Sequence, residues 1–383
     1  MFCVQIMKLT DKEIERYSRH LVIPEVGEDG QIKLKNAKVL IIGAGGLGSP
    51  LALYLAAAGI GKIGIVDFDS VSLSNLQRQV LYTTDDIGKL KTEIALQRIK
   101  SLNPNTEVVT YNVKLTSKNV LEILNDYDVI ADGTDNFAAR YLVNDACLIL
   151  NKPNVYGSIL RFNGQVSVFN YKNGPCYRCI YPEPPAPGEV PSCEEGGVLG
   201  VLPGIIGTLQ ANEVVKIILG KGEMLSGRLL LFDGLKASFK ELKIEKDKKC
   251  PACSKKTLQL IDYEELCGTK KEETNNLTQR EITVEELKKK IDKKENFILL
   301  DVRESYETQI ASLGGVLIPM KQLPYRLDEL NKEDEIIIYC RTGHRSHNVT
   351  QYLIENHGFR NVKNLVGGIH AWADKIDNTV TKY

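Results

Sequence analysis

KVLIIGAGGLGSPLALYLAAAGIGKIGIVDFDSVSLSNLQRQ, residues 38–79, is the stretch whose reading decides the fold. Val39 to Ile42 is a short apolar run that reads as a fully buried strand. Gly43, Gly45 and Gly48 follow in GxGxxG spacing with Gly46 between them, and a helix of small and apolar residues runs to about Ala58. A second buried strand, Ile63 to Val66, ends at Asp67. This strand–turn–helix–strand order builds a phosphate site, because free backbone N–H groups and the dipole at a helix N-terminus favour an anion. Asp67 stands where an acidic side chain accepts from ribose hydroxyls. Up to this point any dinucleotide-binding domain fits, a nicotinamide enzyme included.

The residues after Asp67 narrow the choice. A polar segment packs Asn75, Arg78 and Gln79 into five positions, and Lys91 opens the next expected helix. Arg78 and Lys91 can both return to the phosphate end of the nucleotide. Two fixed cations suit a triphosphate attacked at its α-phosphorus, where charge grows on equatorial and leaving oxygens. The strand near Asp128–Ala131 runs into DGTDN, which puts Asp132 and Asp135 at a strand's C-terminal end, where open α/β sheets bind ligands. Asp135 is the candidate Mg²⁺ ligand, since Mg²⁺ takes one or two carboxylates plus phosphate oxygens.

GAGGLG, DFDSVSLSNLQRQ, GKLK and TDN in this order resemble the adenylyltransferases that activate ubiquitin-like sulfur carriers. These form the molybdopterin-synthase and thiamine-biosynthesis branch of the ubiquitin-activating superfamily, and the resemblance runs from about Tyr17 to Cys253. It implies ATP held by the amides around Gly45, with Asn75, Arg78 and Lys91 on the phosphates and Asp135 on the metal. It also implies a homodimer in which Arg16, within RYSRH, reaches into the partner subunit's site. The partner protein it implies is a ubiquitin-like carrier ending in Gly-Gly.

At 383 residues with 43% apolar content, the chain is long enough for two cored domains. Lys+Arg and Asp+Glu balance at 49 each, which gives no electrostatic case for nucleic acid or an anionic membrane. The longest apolar region, VLGVLPGIIGTLQA, is broken by glycine and proline, and the N-terminus turns charged too soon for a secretory signal. Nine cysteines, an odd number, point to metal and thiol chemistry in a reducing compartment, so cytoplasm is expected. Cys176 and Cys179 in PCYRC, with Cys250 and Cys253 in CPAC, form two knuckles suited to a closed, structural Zn²⁺ site. The rival reading, a redox CxxC shuttle, needs only one pair.

Alternating elements over residues 38–150 predict a mainly parallel sheet covered on both faces. An amphipathic helix is expected over Asp11–Leu21, and Asn163-Gly164 reads as a hairpin turn. Between the knuckles, five prolines surround Cys193, which the resemblance marks as an acceptor or resolving cysteine; the bland alternative is a loop thiol. Residues 254–280 are polar and read as a linker between a first domain, 1–253, and a second, 281–383.

The second domain opens with a capping box, Thr283 to Glu286. Strand Ile336–Tyr339 leads to Cys340 and the loop CRTGHRS, which enters a helix directly. A cysteine there meets backbone donors, and Arg341 and Arg345 add charge that favours its thiolate. A cysteine phosphatase loop wants five residues between nucleophile and arginine, and here there are four. With DVRE and NLVGGIHAW, the segment resembles a rhodanese domain, which implies a transferable persulfide on Cys340 and a donor such as a cysteine desulfurase. The expected architecture is a Rossmann-like, doubly wound mixed sheet with a zinc site, followed by an α/β rhodanese domain. The expected reaction is adenylylation of a carrier's C-terminal glycine followed by sulfur transfer to a thiocarboxylate. The alternative is a carrier thioester on Cys193 for conjugation to protein.

Overall fold

The computed structural model describes residues 8–185, 196–255, 257–267 and 280–383, and the chain falls into two units, Met1–Lys270 and Lys271–Tyr383. In the first, α1 (Asp11–Arg16), α2 (Ser18–Leu21) and α3 (Gly27–Asn36) precede the sheet. The single helix expected over Asp11–Leu21 is broken at Tyr17. Its ring lies against Gly59, where an added Cβ would stand 2.6 Å away, and its hydroxyl accepts from Asn103 Nδ2 at 2.8 Å. Burying that tyrosine fixes the break.

The chain then alternates: β1 (Lys38–Ile42), α4 (Gly48–Ala58), β2 (Lys62–Val66), α5 (Lys91–Leu102), β3 (Glu107–Tyr111), α6 (Val120–Asn125), β4 (Val129–Asp132) and α7 (Phe137–Ile149). Next come β5 (Asn154–Leu160), β6 (Asn163–Phe169), α8 (Leu202–Leu219), β7 (Arg228–Asp233), β8 (Ser238–Lys243) and α9 (Tyr263–Leu266). The strand order is β3-β2-β1-β4-β5-β6-β7-β8, parallel from β3 to β5 and antiparallel beyond. One apolar cluster fills the face under α4, α5 and α8, and another fills the face under α6 and α7. Leu51 and Leu55 of α4 are fully buried, each contributing about 1.5–3 kcal/mol. The α8 stretch is long and apolar enough to cross a membrane, but half of it is buried in this fold against α4, β5 and β6.

Two expectations change. The hairpin turn falls at Arg161-Phe162, since Leu160 pairs with Asn163 and Ile159 with Gly164. Gly164 answers a packing demand instead: a Cβ there would lie 2.3 Å from Ile206 Cδ1 of α8. Residues 257–267, read as linker from composition, pack on the first unit. Tyr263 of α9 is 4% exposed and its hydroxyl donates to Asp145 Oδ2 at 2.8 Å, a carboxylate that also takes Arg178 at 2.8 Å.

The second unit runs β9 (Glu281–Ile282), α10 (Val284–Asp292), β10 (Ile298–Asp301), α11 (Ser305–Ile310), β11 (Val316–Leu317), β12 (Ile336–Tyr339), α12 (His344–His357), β13 (Val362–Leu365) and α13 (Gly368–Lys375). Its sheet, β11-β10-β12-β13-β9, is parallel throughout. The expected capping box forms: Glu286 N donates to Thr283 Oγ1 at 3.1 Å, and Thr283 N donates to the Glu286 carboxylate at 2.9 Å.

Candidate functional sites

Strand order reverses between β1 and β4, so the glycine turn and the DGTDN turn meet at the C-terminal edge of the sheet, where ligands bind in this topology. Gly43 has φ +86°, and a Cβ on it would lie 3.0 Å from the Gly133 carbonyl oxygen. A Cβ on Gly48 would lie 1.9 Å from the Gly43 carbonyl oxygen, a clash nothing nearby relieves. Bare backbone is therefore obligatory here. The Asp67 carboxylate ties this turn to the end of β2: it accepts from Ala44 N and from Asp69 N, each at 2.8 Å. Each of its oxygens keeps a lone pair for a further donor. Burial lifts the Asp67 carboxyl above its usual range, and the Lys91 charge works against that rise.

Lys91 opens α5 and is 5% exposed, with Nζ 2.9 Å from Asp69 Oδ2. Tyr82 clamps the two turns together, donating to Ala44 O at 2.7 Å and reaching Lys91 O at 3.4 Å. Sequence reading missed Tyr82, which carries no motif. Arg78 is half-buried, its Cγ 3.7 Å from where a Gly46 Cβ would sit, while Nη1 donates to Ser74 O at 3.0 Å. Gln79 is 4% exposed with its amide beside Gly45, and its Oε1 has no partner. An orphaned buried acceptor beside this turn fits a ligand that brings a donor such as a hydroxyl or amino group, since phosphate oxygens only accept. Asn75 caps the local 3₁₀ turn, accepting from Ser72 N at 3.3 Å. Asp135 is exposed on the turn beside Gly43. Thus Asp67, Arg78, Gln79 and Lys91 surround the glycine turn.

Arg16 does not join them within one chain. Its Nη1 donates to Leu102 O at 2.9 Å, and Leu102 ends α5, about 17 Å from Lys91 at 1.5 Å per residue. Cys193 lies outside the described residues. The chain that follows it returns to this edge: Gly197 O accepts from Arg161 N, and Gly200 abuts Gln77. A groove of about 470 Å³ there is lined by Gln77, Arg78, Val80 and residues 199–201.

Cys176, Cys179, Cys250 and Cys253 converge with all four sulfurs within 4.8 Å of one another. Neighbouring Sγ–Sγ separations of 3.5 to 3.8 Å suit a tetrahedral ion with bonds of about 2.3 Å. The cluster is packed against Leu148 and Leu258.

In the second unit Cys340 directly follows β12 and is 1% exposed, at the point where strand order reverses between β10 and β12. Its Sγ accepts from Gly343 N at 3.2 Å and from Ser346 Oγ at 3.4 Å, so one amide and one hydroxyl meet the sulfur. Arg303 is fully buried and forks onto Asp301 at 2.6 to 3.1 Å, which fixes the end of β10 beside it. Arg345 pairs with Glu307 of α11. Glu307 is a residue that motif reading left out.

The ThiF family profile matches residues 17–252 and the rhodanese-like domain profile matches residues 283–375. The adenylyltransferase and sulfurtransferase MOCS3 of Culex quinquefasciatus is 44% identical over 99% of this chain and 91% of its own. The sulfur carrier protein adenylyltransferase of Thermus thermophilus is 51% identical over 68% of this chain and 99% of its own. Among solved structures, E. coli MccB is 25% identical with a TM-score of 0.56, covering 64% of this chain and 73% of that one. The first match spans both units, and the second covers about two thirds of the chain. The chain belongs to the ThiF family and carries a rhodanese-like domain at its C-terminal side.

Proposed function

We propose that this chain uses ATP to adenylylate the C-terminal glycine of a ubiquitin-like sulfur carrier and then transfers sulfur to it from a persulfide on Cys340. The observation that carries the first half is the set of Asp67, Arg78, Lys91 and the orphaned Gln79 acceptor around one glycine turn. The carrier's carboxylate attacks the ATP α-phosphorus, pyrophosphate leaves, and Arg78 and Lys91 neutralise the growing charge. Asp135 is suited to hold Mg²⁺, which supplies further neutralisation on the phosphates. The Asp67 carboxylate orients the ribose. The terminal sulfur of the Cys340 persulfide then attacks the acyl carbon, AMP leaves, and an acyl disulfide forms. A thiolate attacks the Cys340 sulfur, releasing the thiocarboxylate and leaving a disulfide that a cellular dithiol reduces; Cys193 is our candidate for that thiolate. The orientation of Arg16 away from its own glycine turn supports a homodimer in which it serves the other copy.

The names borne by the relatives favour this reading over a carrier thioester on Cys193. The test is ATP–pyrophosphate exchange with a carrier ending in Gly-Gly, followed by mass spectrometry of that carrier with a persulfide source. Exchange that needs the carrier and a mass gain of one oxygen-to-sulfur replacement are expected. Folded protein giving no exchange with any such carrier sinks the proposal.

Zn²⁺ fits the four-cysteine cluster, which joins the segment after β6 to the segment after β8. Cys250→Ser removes a ligand from a buried site and is expected to release the metal and lower Tm by about 10 °C. Metal content and a thermal melt check this; unchanged metal content and Tm would show that the cluster holds no structural ion.

A further inference from the structure

Arg345 stands in the first turn of α12, next to Ser346, whose hydroxyl meets the Cys340 sulfur. Both of its terminal nitrogens are nevertheless committed to one carboxylate. Nη1 donates to Glu307 Oε2 and Nη2 to Glu307 Oε1, each at 2.7 Å. Glu307 is 4% exposed and held from two further sides. Glu304 N donates to its Oε2 at 2.9 Å, and the Tyr383 hydroxyl donates to its Oε1 at 3.2 Å. The Tyr383 oxygen in turn accepts from Arg303 Nη1 at 2.5 Å. Burial acts to raise the Glu307 carboxyl, but the hydrogen bonds from Arg345, the Glu304 amide and Tyr383 outweigh it and keep it below the usual range. At neutral pH the fork is therefore ionised on both sides and carries no net charge.

That neutrality bears on which molecule can load the cysteine. With thiosulfate, the Cys340 thiolate attacks the outer sulfur, a Cys340–S–S⁻ bond forms, the S–S bond of thiosulfate breaks and sulfite leaves with the electron pair. The donor is a dianion approaching an anion, so its capture depends on how much of the charge on the loop's two arginines, Arg341 and Arg345, is left uncancelled. With a persulfide, the same thiolate attacks the outer sulfur of R–S–S⁻ and the thiolate R–S⁻ leaves, so only one negative charge approaches. We propose that Glu307 sets donor selectivity: by holding Arg345 in a neutral fork it withholds the Arg345 charge from small oxyanion donors and so favours the charging of Cys340 by persulfides. Glu307 is a positioning residue in this scheme, since it acts through Arg345. The inference rests on the reading of Cys340 as the sulfur carrier.

The test compares the full chain with its Glu307→Gln and Glu307→Asp variants, using thiosulfate with cyanide as acceptor and, separately, 2-hydroxyethyl persulfide. Glu307→Gln is expected to raise kcat/KM for thiosulfate by about ten-fold or more, the range by which charge at a cleft changes capture, mainly through a lower KM. Loading by the persulfide is expected to stay within about two-fold, because a single charge is far less sensitive to the same field. Glu307→Asp keeps the charge and is expected to stay near the wild-type ratio of the two donors. An unchanged ratio in Glu307→Gln overturns the proposal, as does an equal rise in both variants, which would make packing the cause. Should Glu307→Gln fail to fold, Tyr383→Phe, which removes one anchor of the carboxylate, is expected to shift the ratio the same way by less; no shift there overturns it too. Failure of the underlying reading is separable: neither donor would then place sulfur on the wild-type cysteine.

Discussion

Cys340→Ala in the full chain abolishes thiocarboxylate formation, by about 10³-fold or more, while carrier-dependent ATP–pyrophosphate exchange stays within about two-fold of wild type. The sulfur has no other seat of this kind among the described residues: Cys340 directly follows a central strand, with Gly343 N and Ser346 Oγ both turned to its Sγ. Alanine removes the atom that bears the sulfur in the proposed reaction and leaves the glycine turn untouched, since the two belong to different units. The loss of one sulfur from a buried site leaves a small cavity costing on the order of 1 kcal/mol, too little to unfold the unit. The measurement is carrier mass after incubation with ATP and a persulfide source, beside exchange on the same preparation. Thiocarboxylate formed at a wild-type rate would remove Cys340 from the reaction, and exchange that vanished with it would mean the two activities are not separable.

Lys91→Ala gives the reverse pattern. Exchange falls by about 10²–10³-fold, the usual cost of deleting one preorganised group that meets charge developing in a transition state. Persulfide loading on Cys340 is unchanged. Lys91 is 6% exposed along its side chain while its partner Asp69 is 53% exposed, so the orphaned Asp69 carboxylate can hydrate. The stability cost is then about 1 kcal/mol or less. A second effect adds to the first: Lys91 opposes the burial that lifts the Asp67 carboxyl, so removing it raises Asp67 further. The variant accordingly loses residual exchange as pH falls, at a higher pH than wild type. Exchange within about three-fold of wild type, with an unaltered melt, would reduce Lys91 to a structural counter-ion of Asp69.

Elements specified by neighbours along the chain were readable in advance. The strand Ile336–Tyr339 falls on its expected residues, Lys91 opens its helix, and Thr283 and Glu286 close their capping box. Each depends on spacing of a few residues: an apolar run, a first-turn position, a reciprocal pair. The glycine spacing also predicted a turn that tolerates no Cβ, and the 1.9 Å approach at Gly48 shows why. What was misread depended on a distant partner. Gly164 looked like a turn glycine until Ile206, 42 positions on, supplied the reason for it. Residues 257–267 looked like linker because polar composition does not reveal that Tyr263 meets Asp145 across the fold.

The sites divide along the same line. Composition and motif order by themselves determined a doubly wound unit with a mixed, mainly parallel sheet and a glycine turn, a four-thiol cluster, and a second unit with a cysteine just past a strand end. Those features follow from local periodicity and from residue types with few alternative uses. Only the tertiary structure decided that Tyr82 clamps the glycine turn, that Arg16 faces away from it, and that Glu307 neutralises Arg345 beside Cys340. Each of these is a contact between segments with no shared spacing, and its geometry exists only once the sheets have brought those segments together.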